Sequence, residues 1–412
     1  MRGTSAFLSL AGVLFAPLIV AQQEPPGGED PLRVFTISAP GITASFIPFG
    51  ARLTSLLVQD RNGHPQDIVV GFDDPQQYVD DVNAKNNYFG CVVGRYANRI
   101  KNGTFVVDNV AYQTPKNEFG IQTLHGGDVG YDQRNWTVTA LTPNSITFTL
   151  FDPGFEGFPG SVITHATYSV NSSTNPNGPI PRTQLTTKTV SIALTGATPI
   201  MLSNHIYWNL NAFKAPTVLN DTTLQMPLSR RFVETDSALI PTGQIGDVTT
   251  AFNGALDFTQ PKLLGRDLQL AEGACGAGCT GYDNCFIIDR PTDVTDWTSS
   301  PDIVVPMLTM NSSITGIHMQ VSTNQRAVQI YGCSGMNGAI PVKASQVQRN
   351  QLEGGNRTPP VDTIQQYGCV VVEPEGWIDG INNPEWAQVP FQVFSPETGP
   401  AVNWATYVFG AQ

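Results

Sequence analysis

A histidine at position 205 lies in the stretch Ser-Asn-His-Ile-Tyr-Trp-Asn-Leu-Asn, residues 203–211, directly after an apolar segment, residues 199–202. Imidazole can give or take a proton near neutral pH. Asparagine amides can hold hydroxyl groups, and aromatic rings can form the floor of a sugar pocket. The stretch would equally suit a structural histidine at the end of a strand. Partners elsewhere in the chain must therefore decide whether His205 is catalytic.

A carboxylate that could exchange protons with such a histidine lies in the stretch Glu-Pro-Glu-Gly-Trp-Ile-Asp, residues 373–379. It follows an unbroken apolar run, residues 369–372, which predicts that Glu373 stands at the end of a buried strand. Burial and neighbouring charges can raise the pKa of a carboxyl group there. Trp377 beside it is of the type that stacks on sugars. The alternative is that both glutamates of this stretch only solvate a loop.

Five further polar residues lie in or beside predicted strands and glycine turns: Asn98, Arg99, His125, Asp283 and Gln329. Asn98 and Arg99, at a predicted strand end, could bind hydroxyl groups or a carboxylate, and Gln329 could project into a polar cavity. Each has an ordinary structural alternative, such as a surface salt bridge, a turn or a solvent-facing position. His125 precedes two glycines, whose freedom would let the backbone approach a ligand closely. Two histidines and a carboxylate together suit general acid–base catalysis.

The elements that must position these residues are predicted to be β-strands. Only 14% of the 412 residues are charged, Gly and Pro number 39 and 31, and Thr, Val, Ile and Phe recur between turn residues. Strong helix formers are sparse. This composition favours an all-β fold over a helical one.

Alternation with a period of two residues supports that prediction. In residues 145–151, Ile146, Phe148 and Leu150 share one face, and in residues 190–194 the larger apolar side chains also occupy alternate positions. Such segments are typical of half-buried antiparallel strands. They recur along the chain and predict a large sandwich or barrel. The sequence contains no repeat with a period of about 20–50 residues, so a propeller built of similar blades is not favoured.

The composition between the predicted strands indicates the loops and the domain organisation. Residues 172–182, 273–281 and 344–361 are polar or glycine-rich and are predicted to be loops. None has the length or composition of an interdomain linker, so residues 32–412 are predicted to form a single β-sandwich domain. Residues 1–21 have the pattern of a cleaved signal peptide, and residues 22–31 that of a flexible leader.

We expect the protein to be secreted to the extracellular space. Six Asn-x-Ser/Thr sequons suit a glycoprotein, at Asn102, Asn135, Asn171, Asn220, Asn311 and Asn356. Six cysteines are expected to pair in part in an oxidising compartment, and the spacing of Cys275 and Cys279 could close a small loop. The sequence alone leaves the other pairings open.

The charge of the chain excludes one class of partner. A net charge of −12 and a pI near 4.8 argue against nucleic acid, which needs a basic surface. No apolar run after the signal segment is long enough to span a membrane. Neither nucleic acid nor a membrane is therefore expected as a partner.

Signatures of several other enzyme classes do not occur in the sequence. It contains no Gly-x-Ser-x-Gly, P-loop, His-Glu-x-x-His or dinucleotide-binding fingerprint. Two carboxylates would also suit a glycosidase, although no second acid pairs obviously with Glu373 at a separate strand end. The residues alone thus predict a secreted β protein with an acid–base pocket.

Taken together and in this order, these stretches resemble the aldose 1-epimerase family, also called galactose mutarotases. The resemblance runs from about Arg33 to about Pro390. Its markers are Gly-Arg-Tyr-Ala-Asn-Arg-Ile at 94–100, Leu-His-Gly-Gly at 124–127, Asn-His-Ile-Tyr-Trp-Asn-Leu at 204–210, Leu-Ile-Pro-Thr-Gly at 239–243, Gly-Tyr-Asp-Asn at 281–284 and Glu-x-x-x-Trp-x-Asp-x-x-Asn at 373–382. Each motif alone is weak, whereas the ordered set is specific.

The resemblance implies a large antiparallel β-sandwich of the supersandwich type. It also implies the interconversion of the α and β anomers of free aldoses such as glucose and galactose, without a metal or cofactor. Glu373 would be the general base for the C1 hydroxyl, and His205 the general acid for the ring oxygen. The positions that would hold sugar hydroxyls or the ring oxygen are Asn98, Arg99, His125, Asp283 and Gln329.

The chain departs from the family pattern at two places near these residues. Glu375 stands where members often have Gln, and Gly-Cys-Ser-Gly replaces Thr-Gly-Asn after Tyr331. The preferred sugar therefore stays open. One alternative is an enzyme acting on another sugar, such as a phosphorylated hexose or an oligosaccharide end. The other is a non-catalytic carbohydrate-binding protein on the same scaffold.

Overall fold

β-Strands dominate the chain, as its composition predicts. The computed structural model describes residues 30–175, 178–290, 303–354 and 360–412. In sequence order the strands are β1 (Phe35–Ala39), β2 (Ile42–Ile47), β3 (Arg52–Gln59), β4 (Pro65–Asp67), β5 (Val92–Val93), β6 (Arg99–Ile100), β7 (Thr104–Val107), β8 (Val110–Gln113), β9 (Thr123–Leu124), β10 (Thr137–Thr142), β11 (Ser145–Asp152), β12 (Val162–Ser173), β13 (Arg182–Ala193) and β14 (Thr198–Pro199). They continue with β15 (Ser203–Asn204), β16 (Tyr207–Trp208), β17 (Thr222–Gln225), β18 (Arg231–Thr235), β19 (Pro241–Asp247), β20 (Lys262–Leu263), β21 (Asp283–Ile287), β22 (Val305–Ser312), β23 (Ile317–Thr323), β24 (Ala327–Tyr331), β25 (Val370–Glu375), β26 (Val393–Phe394) and β27 (Ala401–Ala411). The α-helices of the described part are α1 (Gln76–Ala84) and α2 (Ala344–Gly354).

Two large antiparallel sheets form the layers of a sandwich. One has nine strands in the order β10-β11-β12-β13-β27-β23-β22-β17-β20, and the other has six in the order β16-β25-β24-β21-β18-β19. The strand pairs within both sheets are antiparallel. Strands β1 to β4 form a four-stranded sheet, and the remaining strands pair two by two. The predicted all-β sandwich is confirmed.

The main hydrophobic core takes buried side chains from both large sheets. Phe148 and Tyr168 come from the nine-stranded sheet, and Val328, Ile330 and Val372 come from the six-stranded sheet. Burying a side chain of this size stabilises the fold by about 1.5–3 kcal/mol relative to leaving it exposed. Because successive strand residues face opposite sides, the residues between these apolar ones in β24 and β25 are left for another surface.

Alternation identified strands more reliably than it identified their buried faces. The apolar residues of segment 145–151 are buried in β11, as predicted. At the end of β13, however, Ile192 is 39% and Leu194 44% exposed, whereas Ser191 is buried. Ser191 tolerates burial because its hydroxyl pairs with that of Thr164, 2.8 Å away on β12.

The prediction of a loop at residues 344–361 is wrong in its first part, which forms helix α2. Gln346 anchors this helix by donating hydrogen bonds to the main-chain carbonyls of Asp67 and Val69, both at 3.0 Å. Val347 packs on a neighbouring hydrophobic cluster. The segment contains good helix formers such as Ala, Gln, Arg, Leu and Glu, a signal that its overall polarity concealed.

The other two predicted loops are confirmed in outline. Residues 174–181 connect β12 to β13, with 176 and 177 outside the described residues. Residues 273–281 precede β21 and contain neither a helix nor a named strand.

The cysteines pair in part, as expected. Disulfides join Cys275 to Cys279 and Cys333 to Cys369, and the two remaining cysteines are free and buried. The first bridge closes the small loop that its spacing suggested. In the second bridge, Cys333 follows β24 and Cys369 directly precedes β25. Because β24 and β25 pair with each other, this disulfide links their neighbouring ends. It also explains why the chain has a cysteine just after Tyr331.

Replacing Cys333 and Cys369 by serine should lower the free energy of unfolding by about 2–4 kcal/mol, because the bridge restricts the unfolded chain over a long loop. The two cysteines are 36 positions apart, against four for Cys275 and Cys279. Urea denaturation followed by tryptophan fluorescence measures the loss. The double serine variant of the short bridge is the control and should lose less; a larger loss there would contradict the prediction.

The predicted signal peptide, residues 1–21, and all but the end of the predicted leader, residues 22–31, lie outside the described residues. Neither α-helix of the described part has the length and apolar character needed to cross a membrane. Five of the sequon asparagines are described, and each of them is exposed: Asn102, Asn135, Asn171, Asn220 and Asn311. The sixth, Asn356, lies outside the described residues.

Candidate active site

One pocket collects the seven polar residues that the sequence singled out as candidate catalytic or binding groups. Its polar walls are Asn98, Arg99, His125, His205, Asp283, Gln329 and Glu373. Its remaining walls are Tyr88, Leu124, Tyr207 and Tyr331, and the cavity measures about 130 Å³. Titratable groups, amides and aromatic rings thus converge on a space suited to a small polar ligand.

The six-stranded sheet supplies one wall of the pocket. Gln329 on β24 lies directly opposite Glu373 on β25, and Asp283 begins the adjacent strand β21. Glu373 lies within its strand rather than at the end, because β25 continues to Glu375. Both glutamates are buried, so the alternative in which they solvate a loop is wrong.

His205 is held by its main chain on the facing wall. Its N–H donates to the carbonyl of Cys91 at 2.8 Å, and its own carbonyl accepts from the N–H of Gly90 at 2.9 Å. The imidazole Nε2 lies 3.5 Å from Oε1 of Glu373, and the two side chains are only 6% and 3% exposed. Two titratable groups this close, and shielded from water, can act together on one ligand.

Burial decides the protonation of this pair. It lowers the pKa of His205 to about 3, despite an opposing main-chain hydrogen bond. It raises the pKa of Glu373 well above the usual range; the negative charges of Asp283 and of an ionised Glu375 raise that pKa further, while Arg99 opposes them. Protonated Glu373 and neutral His205 are therefore favoured. Moving the proton from Glu373 to His205 leaves the net charge of the pair unchanged.

Three polar atoms on side chains that line the pocket are buried without a hydrogen-bond partner among the described residues. They are Nδ1 of His205, Oε1 of Gln329 and Oε2 of Glu373. An unsatisfied buried polar group costs about 1–3 kcal/mol. A ligand that brings several hydroxyl groups could satisfy such atoms, so this observation points to a sugar or similar polyol.

Arg99 organises the polar groups beside that wall. Its guanidinium donates to both carboxylate oxygens of Glu118, at 2.8 and 2.9 Å, and to Oδ1 of Asn98 at 3.4 Å. Its Nη2 lies 3.7 Å from Oδ2 of Asp283, whose Oδ1 accepts a hydrogen bond from Gln329 at 2.6 Å. These contacts hold the side chains in place before a ligand arrives, which lowers the entropic cost of binding.

His125 presents an N–H to the pocket. Its Nδ1 accepts a hydrogen bond from the main-chain N–H of Asn98 at 3.1 Å, and burial lowers its pKa well below the usual range. The ring is therefore neutral, with its proton on Nε2. Gly126, expected to bring backbone close to a ligand, instead approaches the main chain of Gly94, whose carbonyl oxygen a Cβ would strike.

His125, His205 and Glu373 also meet the spacing of a metal site, with one ligand atom of each within 4.8 Å of the others. The hydrogen bonding of His125 argues against that use, because its unprotonated nitrogen already accepts from Asn98. Ligation through Nε2 would require the other tautomer and the loss of that hydrogen bond. The donor set suits hydroxyl groups better than a cation.

Sequence reasoning found the aromatic walls only in part. The ring of Tyr88 lies 4.7 Å from that of His125 and 5.6 Å from that of His205, and the ring of Tyr207 lies 5.1 Å from that of His205. Tyr207 belongs to the His205 stretch, whereas no motif marks Tyr88. The expectation that Trp377 stacks on a sugar is wrong: its ring packs against hydrophobic side chains of β18, β21 and β24 and does not line the pocket.

Comparisons with known proteins agree with one another. The aldose 1-epimerase family model matches residues 33–392. A probable aldose 1-epimerase of Arthroderma benhamiae is 64% identical over 383 residues, covering 93% of this chain and 87% of the relative. The galactose mutarotase of Sus scrofa is 28% identical over 367 residues, covering 88% and 91%. The solved structure of an aldose epimerase homologue from C. elegans has a TM-score of 0.72 at 26% identity, covering 92% and 99%.

Proposed function

Because the chain belongs to the aldose 1-epimerase family, and is thus an isomerase that interconverts aldose anomers, we propose that it acts on free glucose and galactose through Glu373 and His205. The observation that carries the proposal is the 3.5 Å approach of these two side chains. They meet in a pocket whose other polar groups suit hydroxyls.

Ring opening needs one proton removed from the sugar and one delivered to it. The carboxylate of Glu373 takes the proton of the C1 hydroxyl, and the electrons of that O–H bond form the aldehyde double bond. The bond between C1 and the ring oxygen breaks, and the imidazolium of His205 gives its proton to the ring oxygen. The products are the open-chain aldehyde, protonated Glu373 and neutral His205.

Those products have the protonation states that burial favours. Opening therefore discharges an ion pair that the buried pocket disfavours. After rotation about the C1–C2 bond, the ring closes on the other face with the roles reversed. The sugar hydroxyl returns its proton to His205, and Glu373 protonates the aldehyde oxygen, so a full cycle moves no net proton.

The remaining polar residues are proposed to hold the sugar. Asn98, Arg99, His125, Asp283 and Gln329 surround the reacting pair. The N–H of His125 can donate to a sugar oxygen, and the free oxygen of Gln329 can accept from a sugar hydroxyl. A sugar held by several such contacts keeps C1 and the ring oxygen in reach of both titratable groups.

Replacing Asp283 by asparagine should raise KM about tenfold with a smaller change in kcat, because a group that only binds the sugar acts on ground and transition states alike. Initial rates followed by polarimetry measure both constants. Asp289→Asn, two residues after the far end of β21 and paired with Arg231, is the control and should leave KM unchanged. A loss confined to kcat would contradict a binding role for Asp283.

The proposed function is tested by the optical rotation of freshly dissolved α-D-glucose and α-D-galactose. Wild-type protein should bring both sugars to anomeric equilibrium faster than buffer alone, and Glu373→Gln should not. Acceleration of neither sugar would overturn the substrate assignment. A panel of other aldoses and oligosaccharides would then separate a different sugar preference from binding without turnover.

The charges of the residues that line the pocket argue against a phosphorylated hexose as substrate. Among its lining residues Arg99 is the single lysine or arginine, and its guanidinium is already engaged by Glu118. A phosphate group would add negative charge beside Glu373 and Asp283 without a free cation to balance it. Competition by glucose 6-phosphate in the polarimetric assay should therefore be weaker than competition by galactose.

We further propose that the protein is secreted and N-glycosylated. The signal-like segment at residues 1–21 supports export, and the exposed positions of the five described sequon asparagines leave room for glycans. Disulfides such as Cys333–Cys369 are typical of an oxidising compartment. Recovery of the protein from culture medium, with an N-terminus near residue 22 and a mass that falls on glycosidase treatment, tests this proposal.

A further inference from the structure

A second buried carboxyl group lies beside the reacting pair. Glu375 is two residues after Glu373 on β25, and its side chain is fully buried. Residues two apart in a strand project from the same face. Two acidic side chains are therefore buried side by side, although the proposed chemistry uses only Glu373.

Glu375 contacts the pocket through Asn98. Its Oε1 accepts a hydrogen bond from Nδ2 of Asn98 at 2.7 Å, while its Oε2 has no hydrogen-bond partner among the described residues. Because Glu375 takes the amide nitrogen, Asn98 must turn its oxygen toward Arg99, whose Nη1 donates to it at 3.4 Å. Glu375 thus decides which way the Asn98 amide points in the pocket.

No neighbouring cation balances an ionised Glu375. Among the ion pairs of the described residues none includes it, and the nearby Arg99 is held by Glu118. The other titratable groups that interact electrostatically with Glu375 are acidic. They are Glu373 on its own strand, Asp283 and Cys285 on β21, and Tyr96 before β6. Burial raises the pKa of Glu375 to about 8, against the opposing effects of Asn98 and Arg99.

We propose that Glu375 is a positioning residue that works as a neutral carboxylic acid, holding the Asn98 amide for the sugar, and that its ionisation in alkaline solution stops the reaction. The inference rests on the proposed function, because Asn98 and Glu373 take their roles from it. An ionised Glu375 raises the pKa of Glu373. Glu373 then holds its proton more tightly, so the ion pair with His205 from which ring opening starts becomes less populated still.

The first test is the pH profile of kcat/KM for α-D-glucose, corrected for the uncatalysed rate. Wild-type activity should fall above a pH of about 8, by roughly tenfold for each further pH unit. Glu375→Gln should lose this alkaline limb, because an amide accepts from Asn98 but does not ionise. Glu375→Ala should be slower at every pH, and rescue by glutamine but not alanine separates positioning from simple packing. An unchanged alkaline limb in Glu375→Gln would overturn the inference.

The second test needs no sugar. A group whose folded pKa is raised contributes stability that is present below its unfolded pKa and is lost as pH rises through the folded value. The melting temperature of Glu375→Gln minus that of wild type should therefore grow as pH rises from the ordinary carboxyl range, near 4.5, to about 8. Glu272→Gln, at an exposed position, is the control and should show no such trend.

The two tests separate failure of the inference from failure of the proposed function. A flat melting difference for Glu375→Gln would overturn the neutral buried acid whatever the activity. Absence of wild-type turnover on every aldose would overturn the proposed function, and with it the catalytic part of this inference. An alkaline limb that disappears in Glu375→Gln, together with the rising melting difference, would support both.

Discussion

Glu373→Gln is expected to lower kcat for mutarotation by about 10²–10⁴-fold, the usual contribution of a general acid–base group. Glutamine has nearly the shape of glutamate but cannot take a proton from the C1 hydroxyl. The partner across the sheet, Gln329, and the nearby His205 stay in place. Sugar binding, measured by titration calorimetry, should therefore change much less than kcat.

The stability of Glu373→Gln provides an independent check. Burial raises the pKa of Glu373, so the stability linked to its proton is present at low pH and is lost as pH rises above the ordinary carboxyl range. The variant should thus be at least as stable as wild type at neutral pH, and its relative advantage should grow with pH. Glu272→Gln on the surface serves as the control for both activity and melting. Full activity in purified Glu373→Gln would rule out its role as the base.

His205→Asn is expected to reduce kcat by a similar factor, about 10²–10⁴. Asparagine retains a polar group of moderate size but cannot deliver a proton to the ring oxygen. Because the main chain of residue 205 is anchored to Cys91 and Gly90, the local fold should persist. Polarimetry with saturating sugar measures the effect directly.

A matched histidine shows whether that loss is specific. His165 on β12 contacts the hydroxyl of Thr149 at 2.8 Å and is absent from the pocket walls, so His165→Asn should retain wild-type kcat. Since Glu373 and His205 act as one unit, the double variant should be little slower than the slower single variant. Multiplication of the two separate losses would contradict a concerted pair.

Much of the fold and site could be predicted because local rules govern them. Alternation identified β11, and the apolar run before Glu373 identified β25. The ordered motifs named seven polar residues, and the structure brings all of them to one pocket. The close spacing of Cys275 and Cys279 was enough to suggest their bridge.

The wrong predictions share a different cause. Helix α2 was expected to be a loop, Ile192 was expected on a half-buried strand face, and Trp377 was expected at the sugar. Each depends on what packs against the residue: carbonyls from β4 and beyond for Gln346, a hydroxyl pair for Ser191, and the far end of the six-stranded sheet for Trp377. Such partners come from distant parts of the chain, and no local pattern records them.

The sequence by itself determined which side chains could exchange protons and bind hydroxyls, and that β-strands and the turns beside them would carry those side chains. Only the tertiary structure decided that His205 and Glu373 lie 3.5 Å apart, that burial favours their uncharged forms, and that Glu375 is buried against Asn98. The physical reason is that residue type and periodicity are local properties of the chain. Proton affinity instead depends on desolvation and on neighbouring charges, which exist only once distant strands have packed together.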